Sequence, residues 1–120
     1  DLPALPIAPE AARGTLGAVL GYPENGPYAV VPARLGGTRE AISEDSYGRG
    51  PVRRMLSSLR GSVRSGNSGG PLVDSRGRVL GTVFAATTSG VGGGFAVPNG
   101  IVRAALADTG STPVDTGPCA

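Results

Sequence analysis

Residues 65–72 read Ser-Gly-Asn-Ser-Gly-Gly-Pro-Leu. A serine hydroxyl is a weak nucleophile at neutral pH, and attacks a carbonyl usefully only when a neighbouring base takes its proton. The oxygen that becomes negative in that attack must meet preplaced N–H donors. Glycines serve this second need. Gly66 has no side chain, so its N–H can face a substrate, and the N–H of Ser68 can point the same way. Gly69 and Gly70 let the chain turn sharply beneath the hydroxyl, and Pro71 fixes the exit into the next segment. A phosphate-cradling loop is the competing chemistry, but the stretch has neither GxxxxGK[ST] nor a G-x-G-x-x-G that opens a helix. A Ser-Gly pair in an ordinary turn would mean little; the full eight-residue string is far more specific.

The nucleophile has no base within the chain. There is no histidine, and all eleven basic residues are arginine, so a serine–lysine pair is excluded. Asp74, six residues on, reads as the start of a hairpin turn rather than as the acid of a catalytic triad. No metal or cofactor site is expected.

The elements that must position Ser68 read as short strands. Residues 1–14 are proline-rich without a clean period and form an extended connector lying on a surface. Residues 15–20 read as a strand, stopped by Gly21-Tyr22-Pro23. Glu24-Asn25-Gly26-Pro27 reads as a tight hairpin turn with Asn-Gly at positive φ, and residues 28–35 as the returning strand, with an edge or bulge at Pro32. Residues 36–50 are polar and glycine-rich and read as a loop. Residues 51–59 read as a strand, the serine turn follows, and a hairpin through Ser75-Arg76-Gly77-Arg78 leads into a strand at 79–85. After a Thr/Ser/Gly loop, residues 94–98 form a last strand. Asn99 reads as an N-cap, with Ile101, Val102, Ala105 and Leu106 on one face of a closing helix. This pattern predicts an antiparallel β-barrel with a short C-terminal helix and no internal repeat.

The 120 residues correspond to one small domain or a part of a larger one, and 39% hydrophobic content supplies one modest core. Gly and Pro are abundant, but valine and leucine runs between them argue against disorder. Aromatics at 4% and a net charge of +2, with only Arg53-Arg54 adjacent, argue against nucleic acid as a partner. No apolar run approaches the ~20 residues needed to span a membrane. The start at Asp1 without methionine fits either a processed end or an artificial boundary. The single cysteine, Cys119, cannot close an internal disulfide; it is a spare thiol or half of a bridge to a partner outside the chain.

The string GNSGGPL resembles the serine motif of chymotrypsin-fold proteases, and asparagine at 67, where digestive members carry aspartate, resembles the HtrA-like bacterial branch. The likeness extends over roughly residues 5–107: Leu5-Pro6-Ile7 to Gly14 resembles the inter-barrel connector, Ala18 to Pro23 the "vaiGnP" strand, Val79 to Val83 the strand lining the substrate cleft, and Gly94 to Pro98 the "GFAIP" strand. Membrane-anchored periplasmic proteases of mycobacteria resemble it as well. The resemblance implies a six-stranded Greek-key barrel, the second of two, with connector 1–14, barrel 15–107 and polar tail 108–120. It implies that the missing histidine and aspartate lie on an absent N-terminal barrel. Ser68 would then be the nucleophile and the N–H groups of Gly66 and Ser68 the oxyanion hole. Ser62, Val63, Arg64 and Ser65 would form one wall of the pocket for the residue before the cut. Phe84, Ala85 and Ala86 would form the other and pair with substrate backbone. With nothing acidic at Ser62 or Val63, a small or medium apolar side chain is expected there.

The resemblance also shifts Cys119 toward a disulfide with the absent half, in an oxidising compartment. It implies an envelope location, a membrane anchor outside the chain and a role in acid or stress resistance, and a start at Asp1 would fit self-cleavage in the connector. Three functions are thereby separated. The first is the nucleophile-bearing half of a serine endopeptidase acting on extended peptides. The second is a barrel that has lost catalysis and only binds peptides. The third, nucleic-acid binding, rests on little more than net charge. A half-protease would expose the face that packs on its partner and be poorly soluble alone.

Overall fold

The computed structural model describes residues 2–45, 47–87 and 92–118. Cys119 and part of the loop expected after residue 85 lie outside these. Six antiparallel strands form a closed barrel. β1 (Leu16–Gly21) pairs with β2 (Ala29–Glu44), β2 with β3 (Pro51–Gly61), β3 with β6 (Gly94–Pro98), β6 with β5 (Val79–Ala86), β5 with β4 (Pro71–Val73), and β4 returns to β1. Three consecutive paired strands followed by a crossover from β3 to β4, which lies beside β1, make this a Greek-key barrel, and the helix α1 (Asn99–Ala107) follows β6. Closure leaves no long open edge on the body of the sheet.

The alternation of apolar residues explains the closure. Val19, Leu72 and Val83, from three neighbouring strands, are wholly inside. Ala33, Leu35, Leu59, Val63, Leu80 and Ala96 join them in one core cluster. Each large apolar side chain withdrawn from water in this way contributes roughly 1.5–3 kcal/mol. The connector is part of that core: Ala8 is buried within it, and its N–H donates to the Val79 carbonyl (2.9 Å) while Val79 N–H donates to Pro6 (2.8 Å).

Three sequence expectations are corrected. Residues 36–44 are not a loop but the outer half of β2, which pairs with β3 as far as Glu44↔Pro51. This arm is held by polar cross-strand pairs, Arg53 Nη1 on Glu40 (2.9 Å) and Arg54 Nε on Ser43 Oγ (2.8 Å), so its residues look like loop residues. Pro32 lies, as expected, at an open side of β2 rather than in the interior of the ladder. It pairs in register with Ala18, and β3 pairing begins only at Ala33; the register shift lies at Gly36-Gly37 instead. The β1–β2 connection is a 3-10 turn over Pro23–Asn25, with positive φ at Glu24 and Asn25 while Gly26 is extended. Asn99 does not cap α1, whose N-cap is Pro98. Its buried carboxamide donates to the carbonyls of Ala8 (3.1 Å) and Val79 (2.9 Å), tying connector to barrel. The expected apolar face of α1 is also largely open, with Ile101 43% and Leu106 55% exposed.

Candidate active site

Ser68 stands exposed on the turn between β3 and β4. The turn is fixed from within by Asn67 N–H to Arg64 O (3.2 Å) and Gly70 N–H to Asn67 O (3.0 Å). It is fixed to the barrel by Gly69 N–H to Val83 O (2.7 Å) and Val83 N–H to Gly70 O (2.8 Å). From the β1 side, Glu24 N–H donates to Ser65 O (2.6 Å). The N–H groups of Asn67, Gly69 and Gly70 are thus engaged, whereas those of Gly66 and Ser68 take no backbone acceptor among the described residues. An oxyanion formed beside a serine needs unengaged N–H donors of this kind.

Gly66 adopts φ +96, and a Cβ there would lie 2.6 Å from the Tyr22 carbonyl oxygen and 3.0 Å from the Glu24 nitrogen. Only glycine combines that dihedral with that approach. Gly69 is also at positive φ (+83), but a Cβ there would meet nothing within 4 Å.

Asn67 is the residue whose structural role sequence reasoning missed. It is 1% exposed and wedged against β1, where a Cβ on Gly21 would come 2.6 Å from its Oδ1. Its Nδ2 and Oδ1 have no hydrogen-bond partner among the described residues. A neutral carboxamide tolerates such a site far better than a carboxylate, because an unpaired buried charge costs much more than an unpaired amide. The signal available in the sequence was the asparagine itself, set where digestive members have aspartate.

The expected pocket walls divide. Ser62, Arg64 and Ser65 are exposed beside the turn. Val63 is not a wall: it is 6% exposed, belongs to the core cluster, and packs toward Gly94, where its Cγ1 lies 3.0 Å from a Cβ position. It sits where the alternation of an extended segment turns a side chain inward. Arg64 Nη1 is 3.8 Å from Glu24 Oε1 with both side chains well exposed, a pair that holds orientation more than stability. Phe84, Ala85 and Ala86 are half-buried at the far end of β5. The Arg54 guanidinium stands 5.2 Å over the Phe84 ring centroid. Pairing with β4 ends at Pro71↔Thr82, whereas pairing with β6 continues to Ala86↔Gly94. Residues 84–86 therefore lack a strand on the β4 side, next to the serine turn.

Asp74 is committed elsewhere. Its Oδ1 accepts the N–H groups of Arg76 and Arg78 (2.9 Å each) and its Oδ2 accepts Arg78 Nε (2.8 Å), which builds the β4–β5 turn. The Arg78 backbone N–H, followed by that of Arg76 and the Arg78 guanidinium, holds its carboxyl below the ordinary carboxylate value despite the opposing effect of burial. No group of three or more His, Cys, Asp or Glu among the described residues could hold a metal ion. No helix among them is long and apolar enough to cross a membrane.

The profile of the trypsin-like peptidase domain matches residues 1–81. Two curated relatives from Mycobacterium tuberculosis, serine protease MT3772 (strain CDC 1551 / Oshkosh) and serine protease Rv3671c (strain ATCC 25618 / H37Rv), are each 44% identical over 123 residues, covering 98% of this chain. The chain spans 30% of their length. Among solved structures, the active form of the M. tuberculosis Rv3671c protease superposes with a TM-score of 0.85 at 40% identity, over 98% of this chain and 53% of that one. Its inactive form gives 0.77 at 38%, over 92% and 57%. The serine endoprotease from Yersinia pestis, at 22% identity and a TM-score of 0.67 over 89% of this chain and 35% of that one, shares the fold. A barrel of this topology, the profile match and the mycobacterial identities together establish that the chain belongs to the trypsin-like peptidase family of serine proteases.

Proposed function

We propose that this chain is the nucleophile-bearing barrel of a serine endopeptidase, completed by a second barrel that supplies histidine and aspartate. The observation that carries the reading is that the N–H groups of Gly66 and Ser68 take no backbone acceptor among the described residues, on a turn where Ser68 is exposed. An extended peptide adds a strand along residues 84–86 on the side β4 leaves open, which brings a carbonyl to Ser68. The Ser68 oxygen attacks the carbonyl carbon and its proton passes to the partner's histidine. The carbonyl oxygen becomes an oxyanion held by the two N–H groups. Collapse expels the amine, which takes the proton, and leaves an acyl ester on Ser68. Water then attacks the ester, giving up a proton to the histidine; the bond from the Ser68 oxygen to the acyl carbon breaks, the peptide leaves as a carboxylic acid, and the histidine returns the proton to the serine.

Ser62, Arg64, Ser65 and Phe84 flank the residue before the cut, and the absence of a carboxylate among 62–65 and 84–86 favours a small or medium apolar side chain there. Tyr22, Tyr28 and Val30 are exposed, the two rings in edge contact with centroids 5.7 Å apart. They offer an apolar face for the second barrel. Cys119 links the two barrels, a bridge that needs the oxidising cell envelope; the whole protein is anchored in the membrane there, cuts itself in the connector, and serves acid or stress resistance.

Labelling with a fluorophosphonate probe tests the reading. Modification of Ser68 in a protein carrying both barrels, absent from residues 1–120 alone and from the Ser68→Ala variant, is the expected result. No labelling in the two-barrel protein would overturn it in favour of a barrel that only binds peptides.

A further inference from the structure

Three arginines stand around one cavity where the connector meets β2. It has a volume of about 320 Å³, is lined by Arg13, Arg34, Arg60, Gly36, Gly37 and Ser58 among others, and includes no residue of the serine turn. Arg34 and Arg60 are direct partners across the β2–β3 ladder. Their side chains leave the same face from Cβ atoms about 5 Å apart, an arrangement in which like charges oppose the pairing. Arg13 is brought to them by backbone bonds: Gly14 N–H donates to Leu35 O (2.7 Å) and Leu35 N–H to Thr15 O (2.9 Å). The Arg34 guanidinium is itself steered, its Nη1 donating to Gly14 O at 2.8 Å. The ion pairs among the described residues are Arg53–Glu40, Arg64–Glu24 and Arg78–Asp74, and none uses a member of the cluster. The hollow comes from the register shift between Leu35 and Thr38. There Gly36 lies against the Ser58 hydroxyl, while a Cβ on Gly37 would meet nothing within 4 Å.

We propose that this hollow is an oxyanion site that takes a phosphate group, and that it is separate from the serine chemistry. Guanidiniums that line one cavity can bind phosphate oxygens through paired, charge-assisted N–H bonds, and the Ser58 hydroxyl adds a donor. A phosphate dianion neutralises most of the three positive charges, whereas a single carboxylate leaves two uncompensated. Cross-strand repulsion between Arg34 and Arg60 then becomes shared attraction. The cavity is larger than a phosphate ion, so free phosphate and the phosphate group of an ester share the chemistry.

The test is the melting temperature of the intact protein as chloride is replaced by inorganic phosphate at constant ionic strength. The expected result is a rise of about 5 °C at tenfold the Kd, growing further with the logarithm of the phosphate concentration. Arg60→Gln and Arg13→Gln each weaken phosphate binding by about tenfold or more. Gly37→Asp, which places a carboxylate in the open hollow, raises the melting temperature without phosphate and removes the response to it. Glycerol phosphate separates the sources: binding equal to that of phosphate identifies a phosphorylated molecule, and binding tenfold weaker identifies the free anion. Phosphate acting no differently from chloride, or the same phosphate response in wild type, Arg60→Gln and Gly37→Asp, would overturn the proposal.

Discussion

Two glycines of the serine turn provide a controlled comparison. Gly66→Ala and Gly69→Ala both place a methyl group at positive φ, +96 and +83, which costs an L-residue roughly 1–2 kcal/mol. At Gly69 nothing else is disturbed, because its Cβ position is clear to 4 Å. At Gly66 the methyl would meet the Tyr22 carbonyl oxygen at 2.6 Å and the Glu24 nitrogen at 3.0 Å. Both are backbone atoms, so no side-chain rotation relieves the overlap. Either the Tyr22–Glu24 segment or the turn must move, at about 1–3 kcal/mol. That motion also strains the Glu24 N–H to Ser65 O bond (2.6 Å), a further ~1 kcal/mol. The total is about 3–6 kcal/mol for Gly66→Ala against about 1–2 for Gly69→Ala. In a domain of this size that is roughly 15 °C against 5 °C in Tm. The chemistry should diverge further. Displacing the Gly66 N–H removes one oxyanion donor and lowers the fluorophosphonate labelling rate of the two-barrel protein by about 10²–10³, while Gly69→Ala changes it far less. Scanning calorimetry and labelling rates on both variants decide the matter. Equal losses in the two, or a Gly66→Ala protein that melts and labels like wild type, would refute the idea that the Tyr22–Glu24 backbone fixes the oxyanion turn.

Asn67→Asp puts a carboxylate into a site that offers no partner among the described residues. Burial raises its pKa by about 3 units, so the variant is close to wild type near pH 4 and loses about 4 kcal/mol as pH rises toward 7; a pH-independent difference in urea midpoint would disprove this. Asp74→Asn acts in the opposite sense. The native carboxyl is held low, so its contribution is present at neutral pH and lost as pH falls through the folded value, below about pH 4. Wild type and variant should differ in Tm at pH 7 and converge near pH 2, and a gap that persists in acid would show that the Arg76 and Arg78 bonds do not depend on charge.

The barrel was legible where short apolar segments, residues 15–20, 79–85 and 94–98, are punctuated by glycine turns. The outer half of β2 was not, because Thr38 to Glu44 is stabilised by cross-strand polar pairs, and polarity on both faces reads as loop. Asn99 satisfies the local rule for a helix cap, yet its carboxamide is spent on Ala8 and Val79, a long-range use that no local rule encodes. The serine turn was legible as chemistry because its glycines are demanded by backbone geometry. Val63 was placed on the pocket wall by resemblance, and its inward direction became visible only with the core around it.

The connector meets the barrel in a way that defines a path for force. Pro6 and Ala8 grip Val79 on the barrel side, and Asn99 and Arg103 of α1 both hold the Ala8 carbonyl. Tension applied to the connector from upstream therefore bypasses β1 and enters at the start of β5. The same strand carries Val83, whose amide and carbonyl hold Gly70 and Gly69 of the serine turn, and ends in residues 84–86. Residues 6–8, strand β5 and the serine turn thus form one hydrogen-bonded line from the connector to the backbone that follows Ser68.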